Sequence, residues 1–214
     1  SFTWQIVIAD NASSDKTWEL ARILSYKFPF TIRAIRIPQK GRGRALKIAW
    51  SNSKARVRAY MDVDLSTDIR QIPELVGPIL DGRADVCFGS RLLPASCVER
   101  CAKREFISRS YNRMLQNYLG VHFHDAQCGF KAVSAEAADT LLPLIQDNEW
   151  FFDTELLVLA ERMGIASCEF AVRWKEDAGT TVHIVDTVRK DLAGMKRLKT
   201  SDGQAGSSQP DTYR

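Results

Sequence analysis

Nowhere does this sequence hold an apolar run near the roughly 20 residues that a helix needs to cross a bilayer, so no spanning segment is expected within it. Its five cysteines, Cys87, Cys97, Cys101, Cys128 and Cys168, are odd in number and scattered. They do not read as a disulfide framework and point to a reducing compartment. Cys97-x3-Cys101 has a spacing tolerable for zinc, but no second pair completes a site. His122 and His124 beside Asp125 could suggest a metal, and read more simply as a polar turn after a helix. Neither the Walker spacing nor the dinucleotide-binding glycine spacing occurs, and no internal repeat is present. The chain opens Ser-Phe-Thr-Trp with neither an initiator Met nor a signal-peptide pattern, as a fragment or trimmed domain would. Its 214 residues suit one domain, or one with a tail. A net charge of +4 is mild and favours small anionic partners such as a nucleotide or a lipid phosphate over nucleic acid.

What the sequence does have centres on Tyr60-Met61-Asp62-Val63-Asp64-Leu65-Ser66. An apolar run, Val57 to Met61, delivers two carboxylates spaced i, i+2, which share a face in a strand and can converge at a strand end. Converging carboxylates suit a hard cation, since Mg²⁺ is typically held by one or two carboxylates plus substrate phosphates. The plainer alternative is a solvated loop or a helix N-cap.

The surrounding chain alternates strands and helices. Trp4 to Ala9 is a continuous apolar run of the kind buried on both faces of a sheet, ending in the turn cluster Asp10 to Asp15. Helical spacing follows from Thr17 to Phe28, where Pro29 stops it, and Thr31 to Ile37 alternates as a second strand. A polar loop at the carboxyl end of a strand is where open α/β sheets bind ligands. Lys40-Gly41-Arg42-Gly43-Arg44-Ala45 then leads into a helix. Its glycines, its free N–H groups and its cations suit a phosphate, although a basic solvated turn fits as well. A helix is expected over Ile72 to Leu80, a strand over Ala84 to Gly89, and a loop over Pro94 to Glu99. Arg91 at that strand's end could grip a phosphate bidentately or pair with Asp62 or Asp64.

Lys103 to Leu119 is a long amphipathic helix, and Asp125 to Lys131 reads as a short strand whose Gly129 allows close backbone approach. Helices are expected over Ala135 to Ile145 and from Asn148 to Met163, the second with Asp153 and Glu155 among aromatics. Ala166 to Trp174 is a last strand, followed by a polar loop to Thr181. Val182 to Lys199 pairs an apolar stripe with Arg189, Lys190, Lys196, Arg197 and Lys199. Such a helix lies on an anionic membrane surface or packs on its own domain. From Ser201 the composition favours disorder.

These segments, in this order, resemble the family 2 glycosyltransferases of GT-A fold, and within them the dolichyl-phosphate mannose or polyprenyl-phosphate hexose synthases. The segments that carry the resemblance are Ile6 to Asp15, Lys40 to Ala45, Met61 to Ser66, Gly89-Ser90-Arg91, Asp125 to Lys131, and Phe152-Asp153-Thr154-Glu155-Leu156. The resemblance implies an α/β fold, a Rossmann-like, mostly parallel sheet with helices on both faces, whose first strand lies before residue 1. It divides the chain into a catalytic domain, incomplete at its start, over residues 1–182, a basic amphipathic helix over 183–200 and a disordered tail over 201–214. It also implies an enzyme, a hexosyltransferase that carries mannose or glucose from GDP-mannose or UDP-glucose to a polyprenyl or dolichyl phosphate, with inversion. The place of action would be the cytoplasmic side of a membrane.

Residue by residue, the resemblance puts Asp10 and Asn11 at the nucleotide base, with Lys40, Gly41, Arg44 and Val63 along the nucleotide-sugar. It gives Asp62 and Asp64 to Mg²⁺ or Mn²⁺ at the donor diphosphate. Arg91, Arg104 and Lys131 fall to the phosphate of donor or acceptor, and Asp125 and Asp153 to the acceptor side. Asn11 and Ala12 stand where the family usually has Asp and Gly, and Ser66 replaces a Gln common in mannosyl members. A lipid phosphate is already ionised and attacks without a general base, whereas a sugar hydroxyl needs one, for which Asp153 or Asp125 are the candidates. Two alternatives stay open: a family 2 transferase acting on a sugar acceptor, and a truncated, non-catalytic domain that binds donor or a protein partner.

Overall fold

The alternating apolar runs become strands in a computed structural model that describes residues 3–175 and 184–205. β1 (Ile6–Asn11), α1 (Thr17–Lys27) and β2 (Ile32–Ile37) form a β-α-β unit, its strands parallel and in register from Ile6↔Ile32 to Asn11↔Ile37. α2 (Arg42–Ser51) follows and leads to β3 (Val57–Met61). α3 (Ile72–Leu80), with Pro73 in its first turn where no N–H partner is lost, precedes β4 (Val86–Ser90). β5 (Cys97–Glu99), α4 (Ala102–Leu119), β6 (Phe130–Ser134), α5 (Ala135–Leu141) and α6 (Phe152–Arg162) come next. β7 (Ser167–Ala171), β8 (Arg173–Lys175) and α7 (Ile184–Ala205) complete the described chain.

Four strands form the central sheet in the order β3-β6-β4-β7. β4 and β7 are parallel, while β6 runs against both β3 and β4. The period of two divides the side chains between two layers. Val86, Phe88 and Val133 face a core built with Trp50, Leu115, Leu141, Phe152 and Met195. Cys87, Phe130 and Ala132 face a smaller core with Leu75, Val76 and Ile79 of α3. Helices thus cover both faces.

Several expected boundaries move. The apolar Trp4 to Ala9 run is not buried on both faces: Trp4 is 59% and Ile6 50% exposed, because among the described residues β1 pairs with β2 alone. The Asp125 to Lys131 segment is a strand only from Phe130, since its earlier groups are engaged off the ladder. The Asp125 carboxylate accepts from Arg91, and the Ala126 N–H donates to Asn112 Oδ1. Ala166 to Trp174 breaks at buried Val172, whose N–H donates to Ser90 O and whose carbonyl accepts from Cys97 N. The second half becomes β8, parallel to β5 in the stretch expected to be a loop.

α7 packs on the domain. Met195 and Leu198 are buried, and the bare Cα of Gly194 lies against the Phe151 ring. Arg197 reaches the buried Glu155 at 2.9 Å, Lys190 pairs at the surface with Glu149 at 2.5 Å, and Arg189, Lys196 and Lys199 are exposed. The helix continues through Ala205, past the Ser201 at which disorder was expected. Most of the expected polar loop, 176–181, and the rest of the expected tail, 206–214, lie outside the described residues. Among the described residues no helix is long and apolar enough to cross a membrane.

Candidate active site

Because β6 is antiparallel to β3 and β4, its first residues lie beside the last residues of those two strands. The carboxyl end of β3 with Asp62, the carboxyl end of β4 with Arg91, and the 125–129 loop therefore meet at one sheet edge. The Asp62 N–H donates to Gly129 O at 3.0 Å. The Asp62 carboxylate then lies directly over the Gly129 Cα, where a Cβ would come within 1.7 Å of Asp62 Oδ2. Only glycine fits this approach. Beyond Asp62 the chain turns tightly, with Leu65 in the left-handed region at φ 56° and Asp64 Oδ1 accepting from Ser66 N at 3.0 Å. Val63 and Asp64 are exposed.

Behind Asp62 sits a charged cluster that the short α2 sequence hardly announces. Arg42, the first residue of α2, donates to Asp62 Oδ1 from Nε at 3.2 Å and from Nη2 at 2.9 Å. It also donates to Asp153 Oδ2 through Nη1 and to the Tyr60 hydroxyl at 3.3 Å. Its guanidinium lies 4.9 Å from the centre of the Tyr60 ring and 5.3 Å from that of Trp150, both within cation–π range. The other Asp153 oxygen accepts from the Tyr60 hydroxyl and pairs with Lys131 Nζ at 3.0 Å. Lys131 is fully buried and also donates to Cys128 O at 2.6 Å. Burial alone would raise the Asp153 carboxyl, but Arg42, Lys131 and Tyr60 outweigh it and hold it below the usual carboxylate range. Burial pushes the Tyr60 hydroxyl well up, with Arg42 opposing and Asp153 adding to the rise.

A second ion pair lies at the end of β4. Arg91 donates to both Asp125 oxygens, from Nε at 2.7 Å and Nη2 at 2.8 Å, and its backbone N–H adds a third bond. Its guanidinium lies 5.0 Å from the Trp174 ring centre. Asp125 is fully buried; burial would raise its carboxyl, and Arg91 holds it low instead. Arg91 therefore pairs with Asp125 rather than with Asp62 or Asp64. The two histidines of the preceding turn bind separate carboxylates, His122 with Glu161 and His124 with Glu169.

The start of α2 departs from the phosphate cradle expected for it. The Gly43 and Arg44 N–H groups donate to the carbonyls of Glu149 and Asn148, at 3.1 Å and 2.9 Å. The glycines admit this second backbone: a Cβ at Gly41, whose φ is 142°, would meet Asn148 O at 2.4 Å, and one at Gly43 would meet Phe152 Cβ at 2.6 Å. Gly41 and Gly43 thus weld α2 to the segment before α6. Lys40 is exposed, and Arg44 folds back on the Lys40 carbonyl. At the end of β1, Asp10 is buried with Oδ1 accepting from Ser13 N and Arg36 3.7 Å from Oδ2. Asp10 Oδ2 and Asn11 Oδ1 are buried without a hydrogen-bond partner. Arg104 lies in the first turn of α4.

The structure thus brings Asp62, Asp153 and Lys131 into one network and joins Arg91 to Asp125 beside it. Sequence reasoning offered Arg42 only as one of three cations suited to a phosphate, and did not name Tyr60 as a site residue. Tyr60 was within reach, since it stands two before Asp62 and so shares its face. For Arg42 the only signal was a cation between two glycines at a helix start. As for a cation, Asp62 and Asp64 fit Mg²⁺ or Mn²⁺. Both are hard oxygen donors, and among the described residues neither Oδ2 accepts a hydrogen bond. Among the described residues no third His, Cys, Asp or Glu joins them there, and phosphate and water oxygens suit the other positions.

The sequence pattern of glycosyl transferase family 2 matches residues 2–142. The chain belongs to this family. It is 36% identical over 192 residues to glycosyltransferase AglD of Haloferax volcanii, covering 90% of this chain and 30% of the relative. It is 31% identical over 196 residues to the dolichyl-phosphate beta-glucosyltransferase ALG5C of Trichomonas vaginalis, covering 88% of this chain and 58% of the relative. With the human dolichyl-phosphate beta-glucosyltransferase the identity is 28% over 194 residues, for 84% and 58% coverage. This family 2 chain therefore spans roughly a third to three fifths of these curated relatives. Among solved structures, glucosyl-3-phosphoglycerate synthase from Mycobacterium tuberculosis in complex with uridine diphosphate superposes with a TM-score of 0.65 at 19% identity, covering 96% of this chain and 70% of that one. The fold is the GT-A type of α/β architecture that the sequence led us to expect.

Proposed function

We propose that this family 2 chain transfers a hexose from a nucleotide-sugar to a polyprenyl phosphate such as dolichyl phosphate, with inversion at the anomeric carbon. The observation that carries the reading is the state of the two buried carboxylates. Both oxygens of Asp153 and of Asp125 are engaged by cationic or hydroxyl donors, and both carboxyls are held below their usual range. A carboxylate stabilised in its ionised form is a poor proton acceptor, which suits an acceptor with no proton to give. A phosphate oxygen of the lipid would attack the anomeric carbon and form the new C–O bond. The bond from that carbon to the donor diphosphate would break, its electron pair leaving on the diphosphate.

Asp62 and Asp64 would hold Mg²⁺ or Mn²⁺, which supplies charge stabilisation for the departing diphosphate. Asp10 Oδ2, which faces Arg36 but accepts no hydrogen bond, and Asn11 Oδ1 are suited to N–H donors of a base. Lys40, Gly41, Arg44 and Val63 would border the nucleotide-sugar, and Arg91 and Arg104 would set the phosphate side, while Lys131, buried on Asp153 and the Cys128 carbonyl, would act from behind. The names of the relatives favour glucose over mannose as the sugar, and the uridine nucleotide of the structural neighbour favours UDP-glucose over GDP-mannose as the donor. Membrane contact on the cytoplasmic side, with the lipid acceptor drawn from the bilayer, belongs to the same proposal. So does the division into a catalytic domain and a basic helix.

Calorimetric titration with UDP-glucose and with GDP-mannose, in Mn²⁺ and in EDTA, tests the donor site. Metal-dependent UDP-glucose binding that is lost in Asp64→Ala supports it, and binding that ignores both EDTA and the substitution refutes it. Transfer of labelled glucose to a short polyprenyl phosphate in detergent, against a free sugar acceptor, tests the acceptor. Transfer only to the sugar would overturn the lipid reading and restore Asp153 as a candidate base.

A further inference from the structure

Arg42 already holds one oxygen, Oδ1, of the carboxylate proposed for the cation. Its guanidinium makes two bonds to Asp62 Oδ1 and a third to Asp153, while its side chain is only 15% exposed. Two carboxylates, Asp62 and Asp153, here meet two buried cations, Arg42 and Lys131, with exposed Asp64 two residues on. A divalent ion added at Asp62 would share one anion with the guanidinium, and like charges on a single carboxylate repel. Lys131 is fixed by the Cys128 carbonyl and Asp153 in the core. Arg42 has a route out, because the Trp150 ring on one side of it is 43% exposed.

We infer that Arg42 and the divalent cation are alternative occupants of Asp62: the guanidinium holds the carboxylate in place until the ion arrives, and yields it on binding. Arg42 is then a positioning residue whose presence weakens the binding of the bare ion. It keeps an otherwise anionic pocket neutralised and its aspartates oriented. This inference rests on the reading of Asp62 and Asp64 as cation ligands.

The test is Mn²⁺ alone, without sugar nucleotide, titrated into the full chain and followed by loss of the free-ion electron paramagnetic resonance signal. Arg42→Gln is expected to bind Mn²⁺ about tenfold tighter than the wild type. Asp64→Ala should abolish binding in both backgrounds. The double variant Arg42→Gln with Asp153→Asn restores the local charge and should keep most of the gain, because Asp62 Oδ1 stays vacant. Equal or weaker binding in Arg42→Gln overturns the inference, as does a double variant that returns to wild-type affinity. Should Arg42→Gln not fold, Arg42→Lys keeps the charge but cannot bridge both carboxylates. A gain of about threefold there supports the inference, and no gain overturns it. Wild type and variants that all ignore Mn²⁺ would remove the cation reading of Asp62 and Asp64 and this inference with it. A wild type that binds, with variants unchanged, would remove this inference alone.

Discussion

Asp191 gives the clearest quantitative prediction. It projects from α7 into the domain, 3% exposed, with Oδ2 accepting from Gln127 Nε2 at 2.9 Å. Burial outweighs the hydrogen bond from Gln127 and pushes its carboxyl from the ordinary 3.8 up to about 6. The folded protein thus binds more protons than the unfolded chain between those values, so stability falls as pH rises through that window. Two pH units correspond to about 3 kcal/mol lost on ionisation. Asn at this position cannot ionise and keeps the shape, at a cost of about 1 kcal/mol for its less suited hydrogen bonds. Asp191→Asn should therefore be no more stable than wild type near pH 4 and about 2 kcal/mol more stable near pH 7. Urea unfolding across that range measures it, and the low-lying carboxyls of Asp125 and Asp153 cancel because both proteins share them. Wild-type and variant stabilities that stay parallel, or a wild type that gains on the variant as pH rises, would refute the reasoning.

Gly129→Ala puts a Cβ into the space of Asp62 Oδ2 and should weaken metal-dependent UDP-glucose binding about tenfold or more in calorimetry, while the far-ultraviolet circular dichroism stays unchanged. Gly43→Ala meets Phe152 Cβ and the Asn148 backbone instead. It should cost about 1–3 kcal/mol in urea unfolding. Asp125→Asn leaves the Arg91 guanidinium buried without its counter-charge and should cost about 3–5 kcal/mol, seen as a lowered thermal midpoint. Since the Asp125 carboxyl is depressed on folding, its contribution is present above the ordinary 3.8 and disappears as pH falls through the lower folded value. The Asp125→Asn protein should accordingly show a flatter acid limb in pH-dependent unfolding.

Much of the fold was legible because the chain spells its periods plainly. The apolar run at β3, the Pro73 start of α3 and the amphipathic stripe of α4 each stand at or near the observed bounds. The direction of β6 was not legible, since a five-residue strand reads the same whether it runs with its neighbours or against them. The exposure of β1 was missed for a related reason: apolar content announces a strand without saying how many neighbours it has. In the site, Asp62, Asp153 and Lys131 were named as separate motifs, and the structure joins them through Arg42 and Tyr60. Gly41 and Gly43 show the limit of reading glycine from sequence. They signal a close backbone approach, and only the folded chain reveals that the approaching backbone is Asn148 and Glu149 rather than a ligand.

The antiparallel insertion of β6 also sets when the site comes into being. Arg42 finds Asp153 across 111 positions of sequence, Tyr60 finds Asp153 across 93, and Arg42 finds Asp62 across 20. Contacts between distant positions form slowly, because the intervening chain must be ordered before they repay its entropy. β3 has no partner in the central sheet until residues 130–134 pair with it, and Asp153 joins only when α6 docks. The β1-α1-β2 unit can settle from local contacts long before that. During refolding, helical signal should thus return ahead of the proposed donor affinity, and on the ribosome Asp62 and Asp64 stay unsupported until most of the chain has emerged.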